Sequence, residues 1–110
     1  MSSISTHVLD LVHGGPAAGV PVVLERLDGE WHALFDGVTD HDGRVPALRV
    51  YKAPRCAYRI TFDTDAWFAA AHLHGFYPVV QVVFVVPPGD AHHHVPLLLG
   101  PYGYSTYRGS

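Results

Sequence analysis

Three groups of side chains in this sequence carry chemistry. The first is His92-His-His94. On a strand side chains alternate, so His92 and His94 point to one face and His93 to the other. Two imidazoles on one face can share a zinc ion. They can also give and take protons, because histidine titrates near neutrality. Zinc needs a third ligand, and no H-E-x-x-H or C-x-x-C pattern supplies one. Acid/base work, metal binding and unengaged surface histidines all stay open on these residues alone. The second group is His7 within Ser5-Thr-His-Val-Leu-Asp10. It shares a strand face with Leu9 and Leu11, and an imidazole on an apolar face needs a hydrogen-bond partner. The third is Arg44, directly after the Asp42-Gly43 turn. It reads either as a solvated charge or as a fork that holds a carbonyl or carboxylate and repels protons from a nearby histidine.

The remaining candidates read more plainly. His72 and His74 follow a short helical stretch and suit the negative end of its dipole. His13, His32 and His41 lie in or beside turns. Cys56 has no surrounding nucleophile motif, and as the one cysteine it has no partner for an intramolecular disulfide, which is compatible with a reducing compartment. The final segment, Gly103-Tyr-Ser-Thr-Tyr-Arg-Gly-Ser110, is aromatic and rich in hydroxyls, so it can either fray or dock.

The elements that must hold these groups are short extended runs split by Gly, Pro and Asp. Runs are expected at 4–11, 20–27, 31–35, 45–50, 57–62, 77–86, 92–99 and 102–107, with Pro46 weakening the fourth. Asp28-Gly29 marks an antiparallel hairpin between the second and third. Alanine-rich 66–72 reads as the one helix, capped by Thr64 or Asp65 and ended by Gly75. Valine at 79, 80, 82, 83, 85 and 86 makes both faces of the 77–86 strand apolar. That places it centrally, or against the core on one side and a partner on the other. Seven or eight such strands, with turn signals about every 8–12 residues, predict an antiparallel β-sandwich.

Composition closes off other classes. The chain has 110 residues, 48% apolar and 15% charged, which suits one domain over residues 1–110 that buries roughly 65% of its unfolded surface. Whole-chain disorder is excluded. The longest apolar run is too short to span a bilayer, and the first ten residues lack the charged and apolar regions of a signal peptide. A net charge of −3 with Lys52 as the one lysine argues against a nucleic-acid binder.

Four motifs in order resemble the 5-hydroxyisourate hydrolase family of transthyretin-like enzymes. They are Ser5-Thr-His-Val-Leu-Asp10, Gly37-Val-Thr-Asp-His-Asp-Gly-Arg44, His92-His-His-Val-Pro-Leu-Leu-Leu99 and the terminal Tyr107-Arg-Gly-Ser110. Tyr58-Arg-Ile-Thr-Phe62 and Phe76-Tyr-Pro78 also fit, so the resemblance covers essentially the whole chain. Transthyretin looks similar but lacks the terminal tetrapeptide. The resemblance implies an all-β, eight-stranded sandwich with one short helix, assembled as a homotetramer (a dimer of dimers), with no metal or organic cofactor. It implies a small-molecule substrate, 5-hydroxyisourate, hydrolysed to 2-oxo-4-hydroxy-4-carboxy-5-ureidoimidazoline in urate breakdown. His7, Arg44 and His94 match the family's catalytic residues. Tyr107, Arg108, Gly109 and Ser110 match the tail that lines the substrate pocket, with Ser110 offering its hydroxyl or terminal carboxylate. Two positions depart from the pattern: His93 replaces a tyrosine, and Gly100 stands where serine is usual. A cytoplasmic location is the default, since Arg-Gly-Ser is not a peroxisomal address. The alternatives are a carrier of aromatic ligands, a zinc site on His92 and His94, and a structural module.

Overall fold

The computed structural model describes residues 1–110. Eight strands form two four-stranded sheets: β1 Ser3–Asp10, β2 Gly15–Pro16, β3 Pro21–Asp28, β4 Glu30–Val38, β5 Cys56–Phe62, β6 Val80–Val86, β7 His92–Leu99 and β8 Tyr104–Thr106. One sheet runs β2-β1-β7-β8 and the other β4-β3-β5-β6. All pairings are antiparallel except β1 with β7, which is parallel and sets Ser3 opposite His92, Ser5 opposite His94 and His7 opposite Pro96.

Alternation along each strand sends one row of side chains inward. Ile4, Val8, Val95, Leu97 and Leu99 of the first sheet meet Val22, Leu24, Tyr58, Ile60, Phe62, Val80 and Val86 of the second. The other row of β1 and β7 is Ser3, Ser5, His7 and His92, His94, so the residues able to do chemistry lie on the outer face of this sheet. The Asp28-Gly29 hairpin forms as the dipeptide predicts, with Gly29 at φ 74°.

Four local expectations are corrected. Residues Pro46–Val50 form a 3₁₀ turn rather than a strand. Proline supplies the fixed φ of a first helical turn and lacks the donor that a ladder needs, while Leu48 anchors the turn in the core. The long valine strand begins at Val80, not Tyr77, and takes an edge beside β5, which excludes the central placement and leaves the one with the core on one face. Val80, Phe84 and Val86 turn inward while Val83 and Val85 are 59% and 68% exposed.

The helix α1, Thr64–Ala70, is capped by neither Thr64 nor Asp65. The Asp63 carboxylate accepts the Ala66 N–H at 3.1 Å, which leaves the buried Thr64 hydroxyl to donate to the Tyr77 carbonyl. His72, not Gly75, ends it, at φ 58°. The His72 and Leu73 N–H groups donate back to the carbonyls of Ala69 and Phe68, a Schellman closure with histidine where glycine is usual. Gly75 serves packing instead, since a Cβ there would lie 2.4 Å from the Phe68 ring.

Candidate active site

Four backbone segments lie side by side across the outer face of the first sheet. At one side Arg44 bridges to His7 of β1; β1 pairs with β7, which carries His94; and His94 bridges to Gly109 of the tail. The row Arg44, His7, His94, Gly109 is therefore built from adjacent strands or their extensions. Rigid backbone pairing sets its spacing.

The Asp40–Arg44 turn explains how Arg44 arrives there. The Asp40 carboxylate accepts the N–H groups of Asp42 and Arg44 at 2.9 and 3.0 Å, an Asx-type closure. Those bonds, that of Arg44 first, hold the Asp40 carboxyl below the usual carboxylate range. Gly43 has φ 74°, and its carbonyl accepts the Val8 N–H at 2.8 Å. A Cβ on Gly43 would sit 2.3 Å from the Val8 carbonyl oxygen, so only glycine lets the turn lie against β1.

The tail docks rather than frays. Thr106 donates its hydroxyl to the Pro96 carbonyl at 2.7 Å, and the Gly109 N–H donates to the His94 carbonyl at 2.8 Å. Tyr107, Arg108 and Ser110 remain exposed around this contact. Tyr107 and Arg108 also line a cavity of about 360 Å³ at the edge of the sandwich, together with His94, Val95 and Phe84. His93 faces away from the outer row, as alternation predicts, and lies buried against that cavity with its Nε2 unpartnered.

His94 is half-buried, and its Nδ1 lies 2.8 Å from the Ser5 hydroxyl. Its pKa is held below the ordinary 6.5, first by burial, then by the Arg44 cation, then by His7. His92 is shifted the same way, by burial first and Arg49 next. At neutral pH His94 is thus an uncharged imidazole beside a fixed cation, able to accept a proton, next to a second half-buried imidazole, His7.

The other histidines stand outside this row. His13 binds Asp10 at 2.6 Å, so it is a turn brace rather than a freely solvated ring. His32 reaches the Asp28 carbonyl, and His41 is open to solvent beside Asp42. Cys56 donates its thiol to the Leu27 carbonyl. Sequence reading passed over Ser3 and Ser5, both within hydrogen-bond distance of the His92 ring. Their signal was the S-x-S spacing that mirrors H-x-H, legible only once β1 and β7 are known to pair.

Two facing four-stranded sheets, one short helix after β5 and a C-terminal segment folded onto β7 define a transthyretin-type β-sandwich. The profile of the HIUase/Transthyretin family matches residues 4–109, and the chain belongs to that family. It is 48% identical over 109 residues to a 5-hydroxyisourate hydrolase of Salmonella dublin, covering 97% of this chain and 80% of that one. It superposes on the structure of Klebsiella pneumoniae 5-hydroxyisourate hydrolase with a TM-score of 0.88 at 40% identity, covering 100% of this chain and 94% of that one. Transthyretin from Sparus aurata gives a TM-score of 0.90 at 31% identity, covering 96% of this chain and 95% of that one. The backbone alone therefore does not separate the hydrolase from transthyretin.

Proposed function

We propose that this chain is a hydrolase that opens 5-hydroxyisourate to 2-oxo-4-hydroxy-4-carboxy-5-ureidoimidazoline in urate breakdown. The observation that carries the reading is the juxtaposition of Arg44, His7, His94 and the Gly109 segment on one sheet face. An acid/base pair beside a cation is what water attack on a cyclic amide requires.

The imidazoles of His7 and His94 position a water and take its proton as its oxygen bonds to the ring carbonyl carbon. Arg44 meets the negative charge that grows on the carbonyl oxygen. The C–N bond then breaks, and the proton held on imidazole passes to the leaving nitrogen, so atoms and charge balance. Burial first, and Arg44 next, keep His94 uncharged and so able to accept a proton. Ser110, Tyr107 and Arg108 wall the substrate side of the row, with Ser110 contributing hydrogen bonds from its hydroxyl or carboxylate.

The assembly we infer is a homotetramer formed as a dimer of dimers. Support comes from the open backbone edges of β6 and β8, the exposed valines of β6, and an edge cavity into which a buried histidine points. One core of 19 side chains serves both sheets, which supports reading residues 1–110 as one domain. No helix is long and apolar enough to cross a membrane. An unpaired Cys56 agrees with the cytoplasmic location we assign.

Ultraviolet decay of freshly generated 5-hydroxyisourate tests the activity. His7→Ala and His94→Ala should each lower turnover by about 10²–10⁴-fold. Removal of residues 107–110 should abolish it. Near-wild-type decay in either histidine variant overturns the assignment. A protein that binds the substrate without accelerating its decay would be a carrier.

A further inference from the structure

Four side chains on the outer face form an unbroken hydrogen-bond chain. The Ser3 hydroxyl lies 2.6 Å from His92 Nδ1, His92 Nε2 lies 2.7 Å from the Ser5 hydroxyl, and the same hydroxyl lies 2.8 Å from His94 Nδ1. The parallel β1–β7 register makes this possible, since it sets Ser3 opposite His92 and Ser5 opposite His94, with all four on one face. Ser5 is buried and Ser3 and His92 lie toward solvent, so the chain runs from the reaction row to the surface.

We propose that Ser5, His92 and Ser3 are positioning residues that fix which nitrogen of His94 carries its proton and conduct the proton it gains out to solvent. The proposal rests on the reading of His94 as a proton-handling group in the reaction.

Counting protons shows why. A hydroxyl has one proton, and a neutral imidazole has one N–H. Ser5 can therefore donate to only one of its two histidines and must accept from the other. Two arrangements satisfy every bond. In the first, Ser3 donates to His92 Nδ1, His92 Nε2–H donates to Ser5, and Ser5 donates to His94 Nδ1. That arrangement puts the His94 proton on Nε2, where it blocks general-base work. In the second, every bond reverses: His94 Nδ1–H donates to Ser5, Ser5 to His92 Nε2, and His92 Nδ1–H to Ser3. His94 Nε2 is then bare and ready to accept a proton from water.

The two arrangements interconvert by a balanced shift. A proton gained at His94 Nε2 is matched by loss of the Nδ1 proton to Ser5. The Ser5 proton moves to His92 Nε2, the His92 Nδ1 proton to Ser3, and the Ser3 proton to bulk water. The net change is one proton moved from the site to solvent; when the His94 Nε2 proton then passes to the leaving nitrogen, the reverse sequence brings a proton back to Nδ1 and resets the base. Both rings are held below the ordinary histidine pKa, chiefly by burial, so each stays neutral and single-protonated through this range. Arg44, His7, His92 and Arg49 are the charged or titratable neighbours that act on His94.

Nitrogen-15 NMR of the wild-type protein reads the tautomer directly, and His94 should carry its proton on Nδ1. In Ser5→Ala the His94 proton should move to Nε2, the tautomer free histidine prefers. Turnover should fall about 10–100-fold with KM unchanged, as expected for a general base held in the wrong tautomer. His92→Gln lies at the surface, leaves the core untouched, and keeps a partner for Ser5. It should preserve the His94 tautomer yet lower turnover, because an amide cannot pass a proton. A wild-type His94 protonated on Nε2, or wild-type turnover in both Ser5→Ala and His92→Gln, overturns the proposal. If those two variants are fully active while His94→Ala is dead, the chain is only structural and the site reading stands. If His94→Ala is itself active, the site reading is what fails.

Discussion

Gly109 lies flat against the imidazole of His94. Its N–H donates to the His94 carbonyl at 2.8 Å, and a Cβ in its place would stand 2.6 Å from His94 Cδ2. No side chain fits between tail and ring, so glycine lets the C-terminal segment close one flank of the row.

Gly109→Ala should therefore push either the tail or the ring out of place. A displacement of about 1 Å at the reacting groups costs on the order of 10²-fold. We expect a loss of that size in kcat/KM, with thermal unfolding almost unchanged because the contact lies outside the core. Steady-state kinetics alongside a melting curve decide it; a variant with unaltered kinetics would show that the tail's position is immaterial.

The low pKa of His94 makes a prediction about pH. Because its folded value is depressed, the folded chain binds fewer protons at this site than the unfolded chain. The stability tied to it is whole above about pH 6.5 and is lost as pH falls from there toward the lower folded value. Activity should follow the same group, with the acid limb of kcat/KM lying below pH 6.5. Arg44→Ala removes the second-largest cause of the shift, so that limb should move upward. A limb that stays put while the rate drops would confine Arg44 to substrate binding.

The turn that delivers Arg44 offers a paired test. Gly43→Ala combines a positive φ with a clash against the Val8 carbonyl oxygen and should cost about 2–4 kcal/mol. Gly14→Ala shares the positive φ but has open space around it, and should cost only about 1 kcal/mol. Urea titrations of the two variants compare them. Asp40→Asn keeps an acceptor for the Asp42 and Arg44 N–H groups and should retain most activity, whereas Asp40→Ala should raise KM by loosening Arg44.

His72 is the one non-glycine residue at positive φ. Replacing it with glycine relieves the left-handed conformation and should stabilise the fold by about 1 kcal/mol, less what is lost to a more flexible unfolded chain. Its ring is exposed and far along the chain from the row, so hydrolysis should not change. A fall in melting temperature would mean that what the ring contributes at the helix end outweighs the strain.

Much of this molecule was legible as pattern. The alternation in residues 57–62 marked a strand, and strand periodicity put His92 and His94 on one face and His93 on the other, because burial of every second residue is a local constraint. Asp28-Gly29 and Asp42-Gly43 announced turns, because few residues tolerate positive φ. The failures share a cause. Residues 45–50 and the valines of β6 carry β-forming side chains, but proline at 46 suited a 3₁₀ turn, and a doubly apolar strand looks the same at a sheet centre as at an edge awaiting a partner. His72, not Gly75, terminates the helix, because the closing bonds to Ala69 and Phe68 form two residues past its last turn.

Residue types and order were enough to specify a β-sandwich, its hairpin and its one helix, while the short roll of His7, Arg44, His94 and the terminal tetrapeptide came from the resemblance to a known family. Periodicity and turn chemistry act over a few residues, so a linear reading can recover them. It could not say that β1 and β7 run parallel in a register that puts Ser5 between His92 and His94, or that Gly109 closes on the His94 ring. The first joins residues almost ninety positions apart. Both depend on which strands pair and how far each slides, and only the closing of the shared core settles that.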